Sequence, residues 1–228
     1  MKRNSPSFKP KRQMDQGYPQ RGRPFTHFIA LPVQNKDMCK KLVDFQYKVE
    51  SFDRGRSIFE QWYVEESTFH FTFCMLPLEN TEQVEKAAQV FEDLQPEIEE
   101  FLEEKDFKLT LKGIGQFPMH QRPKESNVLF VKLAINEHFD TLNQLRRLIL
   151  DRMIREEILY ENEVFDQVFH LTLVKSSRLK NVTRGFVSQP LLHEFGKEHF
   201  GTFKPNKLSI YRRNIEKGKY ISVKDIKI

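Results

Sequence analysis

The sequence predicts a mixed α+β domain made of two related lobes, and three observations predict it. Strand-like and helix-like patterns alternate along all but the first two dozen residues. A strand, helix, strand order recurs in both halves. A strand carrying His-x-Thr stands at the corresponding place in each half, in Phe69 to Phe73 and in Phe169 to Leu173. At 228 residues one compact domain is long enough to bury a sizeable core. No period of 20–50 residues marks a solenoid.

The ordered region is expected over 25–228. Phe25-Thr26-His27-Phe28-Ile29-Ala30-Leu31 reads as a buried strand that Pro32 helps to end. A helix follows, capped near Asn35, with Met38, Leu42, Phe45 and Val49 at helical spacing. Residues 67–76 are rich in β-branched and aromatic types and form the next strand. Asn80 or Thr81 caps a long helix with Val84, Ala87, Ala88, Phe91, Ile98 and Phe101 on one face. Its acids, among them Glu92, Asp93, Glu97, Glu99, Glu100, Glu103 and Glu104, read as a solvated face rather than a metal site. Strands at 107–117 and 127–133 flank a polar loop, Pro118 to Asn127. A helix over 137–156 presents Phe139, Leu142, Leu145, Leu148, Ile149 and Met153, and a strand at 167–174 follows. After a loop from Lys175 to Arg184 comes a short helix near 189–198. Two alternating segments, 207–213 and 219–227, close as a hairpin at Lys217-Gly218.

Charge is concentrated at the N-terminus. Residues 1–24 hold seven Lys or Arg against Asp15 alone, leaving 30 basic and 31 acidic residues in the rest of the chain. A disordered basic tail is expected over 1–24, able to add weak nucleic-acid contact or an import signal. The body lacks the basic surface of a duplex-binding domain. No apolar run spans a membrane, and no apolar stretch follows the N-terminal cations as in a signal peptide. An intracellular protein is expected, in cytoplasm or nucleus, and a monomer. Cys39 and Cys74, the only cysteines, are then free thiols and exclude a cysteine-based zinc site.

The chemistry lies in Phe69-His70-Phe71-Thr72-Phe73 and Phe169-His170-Leu171-Thr172-Leu173. Strand alternation packs the apolar residues one way and turns His70 with Thr72, and His170 with Thr172, the other way. A chain with seven histidines yields about one H-x-[ST] by chance, so one copy is a weak motif. Two copies in the same apolar frame at matching positions are a signal. The competing reading is a pair of half-buried strand histidines satisfied by neighbours. Imidazole gains or loses a proton near neutrality, so two of them can act as base and acid on either side of a phosphodiester. The threonine hydroxyls can donate to its non-bridging oxygens. Neither motif comes with the carboxylates of a two-metal nuclease, so no metal and no cofactor is expected.

The paired tetrads, His70 to Phe73 and His170 to Leu173, resemble those of the two-histidine phosphoesterases, the LigT or 2′,5′ RNA ligase-like superfamily. Within it the chain is most similar to the phosphoesterase-like central domain of A-kinase anchoring proteins. Thr26 to Pro32, Phe69 to Leu78, Gly113-Ile114-Gly115-Gln116-Phe117 and Phe169 to Lys175 add to the resemblance, which covers residues 25–228. It implies a bilobal α+β fold with two pseudo-symmetric antiparallel-sheet lobes around a central cleft. It also implies His70, Thr72, His170 and Thr172 as the catalytic set. Relatives cleave 2′,3′-cyclic phosphates or 2′,5′-linked oligoadenylates, trim RNA ends, or only bind a nucleoside monophosphate. A nucleotide or short RNA is therefore the expected substrate. The non-catalytic alternative is a monophosphate-binding sensor or scaffold, and a third reading is an RNA adaptor working through the tail. No kinase-anchoring extension follows Ile228 and no KH module precedes Phe25, so neither function is expected.

The remaining candidates are declined. His27 reads as a satisfied core histidine, His120 and His138 as exposed, and His193 with His199 as lacking a metal pattern. Cys74 continues the His70 and Thr72 face without a charged partner. Phe117 and Tyr211 are placed to stack a base, while Arg212 and Arg213 are assigned to solvent.

Overall fold

The computed structural model describes residues 23–103, 105–119, 122–165, 168–176, 185–216 and 218–228, with residues 122 and 123 as backbone only. The chain runs β1 (His27–Pro32), α1 (Lys36–Asp53), β2 (His70–Leu76), α2 (Thr81–Asp93), α3 (Gln95–Leu102), β3 (Leu109–Met119) and β4 (Arg122–Leu133). It continues with α4 (Glu137–Arg155), β5 (His170–Lys175), β6 (Phe186–Val187), α5 (Gln189–Phe195), β7 (His199–Phe203), β8 (Lys207–Glu216) and β9 (Lys219–Lys227).

Asparagines start three of the helices. The Oδ1 of Asn35, Asn80 and Asn136 accepts from the amide of Met38, Gln83 and Phe139, which satisfies a backbone N–H the helix cannot pair itself. Behind each cap an apolar stripe is buried, Met38, Leu42, Phe45 and Val49 in α1 and Leu142, Leu145, Ile149 and Met153 in α4. The acidic helix expected as one rod breaks at Leu94 into α2 and α3. Pro96 in the first turn of α3 has no N–H to continue the ladder. Its described acids, Glu92 to Glu103, do face solvent, and two of them, Glu92 and Glu97, pair with Lys224 and Arg152, while Glu104 lies outside the described residues.

The strands form two antiparallel sheets, the first in the order β2-β1-β8-β9 and the second β5-β4-β3-β7, with β6 also paired to β4. The expected α+β class and two antiparallel lobes are what the chain adopts. Two of the helices cross between them. α1, from the first half, lies against β7 of the second sheet, and α4, from the second half, lies against β2 of the first. One continuous apolar cluster runs through both lobes.

Several boundaries move. The loop expected from Pro118 to Asn127 is mostly strand, because β3 and β4 pair down to Met119 and Arg122. The short β6 and β7 escape a pattern reading, being too brief for a period to show. Arg23, counted with the tail, is docked: its guanidinium lies 2.7 Å from the Glu163 carboxylate and 4.6 Å over the Tyr160 ring. Residues 1–22, His120, Lys217 and 177–184, where most of a loop was expected, lie outside the described residues. No described helix is long and apolar enough to cross a membrane.

Candidate active site

The two His-x-Thr strands are built alike, down to a shared irregularity. Along β2, His70 stands opposite Pro32 and Thr72 opposite Ala30; the register then jumps, and Cys74 stands opposite Ile29. Along β5, His170 stands opposite Lys132 and Thr172 opposite Phe130; the register jumps again, and Val174 stands opposite Leu129. Each strand thus carries one extra residue, Phe73 or Leu173, in a bulge that reverses the alternation beyond it. Strict alternation would put Cys74 on the His70 face. The bulge instead sends Cys74 into the core, where burial pushes its thiol up to about 12, and brings Met75 back to the open face. Lys175 takes the same position in the second lobe.

His70, Thr72, His170 and Thr172 line one cleft of about 480 Å³ between the lobes. Met75 and Lys175 extend its walls, and Arg213, Ile215 and Tyr220 close one side from β8 and β9. Depressions of about 800 Å³ exist elsewhere, one on the outer face of α1 around Tyr47, Phe52 and Phe195, but no histidine lines them. Size therefore does not locate the chemistry; the histidines do.

Both imidazoles are fixed in the same tautomer. Nδ1 of His70 lies 2.6 Å from the Thr68 carbonyl oxygen, and Nδ1 of His170 lies 2.8 Å from that of Val168. A carbonyl only accepts, so Nδ1 carries the hydrogen and Nε2 is left as the basic nitrogen of the neutral ring. Burial lowers the pKa of His70 to about 4, opposed by the bond to Thr68 and helped by the neighbouring charge of His170. Burial also lowers His170, with Lys175 adding to the effect.

Aromatic rings frame each imidazole. Phe28 and Tyr220 have centroids 5.1 and 5.4 Å from that of His70, and Phe130 and Phe117 lie 5.3 and 4.9 Å from that of His170. Phe117, singled out from position alone, is half in solvent beside His170. Tyr211 packs behind, against Phe28 and Tyr220. Arg213 is exposed, as expected, yet it stands at the edge of the cleft and donates to the Phe25 carbonyl at 3.2 Å. Arg212 stays exposed, 4.0 Å from Glu216. His27 is a buried core histidine with Nδ1 2.9 Å from the Thr26 hydroxyl, but its Nε2 has no hydrogen-bond partner among the described residues, so it is only half satisfied. His193 and His199 are exposed. Among the described residues no three His, Cys, Asp or Glu side chains converge as an ion site.

Residues 25–228 match the family model described as the AKAP7 2'5' RNA ligase-like domain. The chain belongs to that family. Human A-kinase anchor protein 7 isoform gamma is 26% identical over 180 residues, which cover 75% of this chain and 49% of that protein. The chain thus spans about half the length of this curated relative. Among solved structures, E. coli LigT complexed with 3'-AMP is similar with a TM-score of 0.58 at 13% identity, over 91% of this chain and 99% of that one. The Thermus thermophilus protein TT0787 is similar with a TM-score of 0.57 at 16% identity, over 89% and 97%. At such identities the likeness is one of fold. Fold and family together are those of the two-histidine phosphoesterases, as the tetrads implied.

Proposed function

We propose that this protein is a metal-independent phosphodiesterase with His70, Thr72, His170 and Thr172 as its catalytic set. Its substrate class is RNA ends, 2′,3′-cyclic phosphates or 2′,5′-linked oligoadenylates. The observation that carries this reading is the duplicated presentation of an imidazole and a hydroxyl on the two walls of one cleft. A phosphate between the walls meets a base on one side and an acid on the other. One imidazole, neutral with its hydrogen on Nδ1, takes through Nε2 the proton of the attacking water or ribose hydroxyl. The other, protonated beside the anionic phosphate, gives a proton to the leaving oxygen. One P–O bond forms as the other breaks, and the two rings end with their protons exchanged, to be reset by solvent. The threonine hydroxyls donate to the non-bridging oxygens, where charge accumulates. Aromatic rings on both walls supply faces for a nucleobase, and 3'-AMP bound to E. coli LigT points to the same ligand class.

The test is turnover by EDTA-treated protein against a panel of 2′,3′-cyclic nucleotides, 2′,5′-oligoadenylates and 3′-tailed RNA. His70→Ala and His170→Ala are each expected to lower kcat by about 10²–10⁴-fold with the circular dichroism spectrum unchanged. Wild type is expected to give a bell-shaped pH–rate curve. Full turnover by either variant would contradict the proposal. Tight mononucleotide binding without turnover on any substrate would replace it with the binding-module reading.

A further inference from the structure

A bulged residue leaves the ladder, so its buried carbonyl needs a donor from elsewhere. Both bulges of the site have one, and both donors come from the opposite half of the chain. The Leu173 carbonyl in β5 accepts from Gln46 Nε2 of α1 at 3.0 Å and from the Val64 amide at 2.9 Å. The same Gln46 nitrogen reaches the Val64 carbonyl at 2.8 Å, stitching that segment to the bulge. The Phe73 carbonyl in β2 accepts from Arg146 Nε of α4 at 2.9 Å, while Arg146 Nη2 reaches the Phe165 carbonyl at 2.7 Å. An amide and a guanidinium thus meet equivalent carbonyls, each one residue beyond a cleft threonine. Neither side chain lines the cleft.

We infer that Gln46 and Arg146 are positioning residues, each fixing the bulge, and through it the histidine and threonine, of the strand contributed by the other half. The kinetic part of this inference rests on the phosphodiesterase reading above. The bulge decides where alternation reverses, and so which side chains reach the cleft. Without the side-chain donor the Phe73 carbonyl loses its bond to Arg146 and the Leu173 carbonyl keeps the Val64 amide but loses the second donor that ties it to α1, and the strand relieves the loss by shifting toward water or slipping register. Either movement displaces the imidazole three residues away along the same rigid strand, and misplacement by about 1 Å can cost about 10²-fold in rate. The reciprocal layout makes a specific demand. Gln46 governs His170, and Arg146 governs His70.

The experiment is a proton NMR titration of the His70 and His170 ring signals in wild type, Gln46→Met and Arg146→Met, with steady-state kinetics in parallel. Gln46→Met is expected to move the His170 titration by about half a unit or more and leave His70 in place; Arg146→Met is expected to do the reverse. Turnover is expected to fall about 10- to 100-fold in kcat with KM within about threefold. Arg146→Lys keeps the charge and one donor, and is expected to return His70 part-way to its wild-type titration. If Arg146→Met does not fold, Gln46→Met and Arg146→Lys decide the question. Unchanged titrations in folded variants, with only a lowered melting temperature, would overturn the inference by showing a merely structural clasp. Equal movement of both histidines in each variant would overturn it too. Absence of wild-type turnover would sink the phosphodiesterase reading alone, because the titrations need no substrate.

Discussion

An imidazole that is to accept a proton from an attacking oxygen must be neutral, in one tautomer and out of bulk water. At His70 and His170 a backbone carbonyl two residues earlier sets the tautomer, and burial sets the charge state. That arrangement has a cost in stability at acid pH. The unfolded chain binds the His70 proton near 6.5 and the folded chain only near 4, so unfolding takes up a proton between those values. Stability is therefore full above about pH 6.5 and falls through that window, by on the order of 1–2 kcal/mol once water in the cleft is allowed for. His170 and His27 are lowered in the same direction and add to the fall. Urea midpoints near pH 7.5 and near pH 5 check this, with His70→Gln expected to show the shallower decline of the two proteins. Identical declines would contradict it. At this scale the sequence was informative because His-x-Thr is short and its periodicity is two. Met75 and Lys175 were missed because a bulge, which no residue type marks, brings them to the cleft.

Strands carry the site, and their irregularities shape it more than their regular parts. Gly115 illustrates the tolerance involved. It pairs with Phe130, and a β-carbon built on it would lie 2.6 Å from two carbons of the Phe130 ring. That ring in turn lies 5.3 Å from His170. Gly115→Ala is expected to destabilise by about 1–3 kcal/mol in urea unfolding and to lower turnover by displacing Phe130 against His170. Unchanged stability and activity would show that Phe130 has room to move. Asparagine caps and apolar stripes made α1, α2 and α4 legible. The break at Leu94 was signalled by Pro96 yet overridden in the reading by an apolar face that continues through Ile98 and Phe101. β7, five residues containing a glycine, has no period long enough to read.

The whole molecule is two lobes whose first helices are exchanged, so each half of the site rests on a strand of its own half and on a helix from the other half of the chain. Duplication was legible as a recurring strand, helix, strand order. The exchange was not, because an apolar stripe records that a face is buried and not which sheet covers it. Charge is partitioned as well, with the basic excess in residues 1–24 and a near-neutral remainder. Deleting residues 1–22 is expected to leave hydrolysis of mononucleotide-sized substrates unchanged, while weakening binding to longer RNA and flattening its salt dependence. Loss of small-substrate turnover in that variant would place part of the site in the tail. The central claim is that the two lobes act together on one phosphate, and a double-mutant cycle on kcat with His70→Ala, His170→Ala and the double variant tests it most directly. Groups working as a unit are not additive, so the double variant is predicted to lie within a few-fold of the weaker single one. Multiplied effects of the two substitutions would mean that the histidines act independently, and would contradict the single shared site.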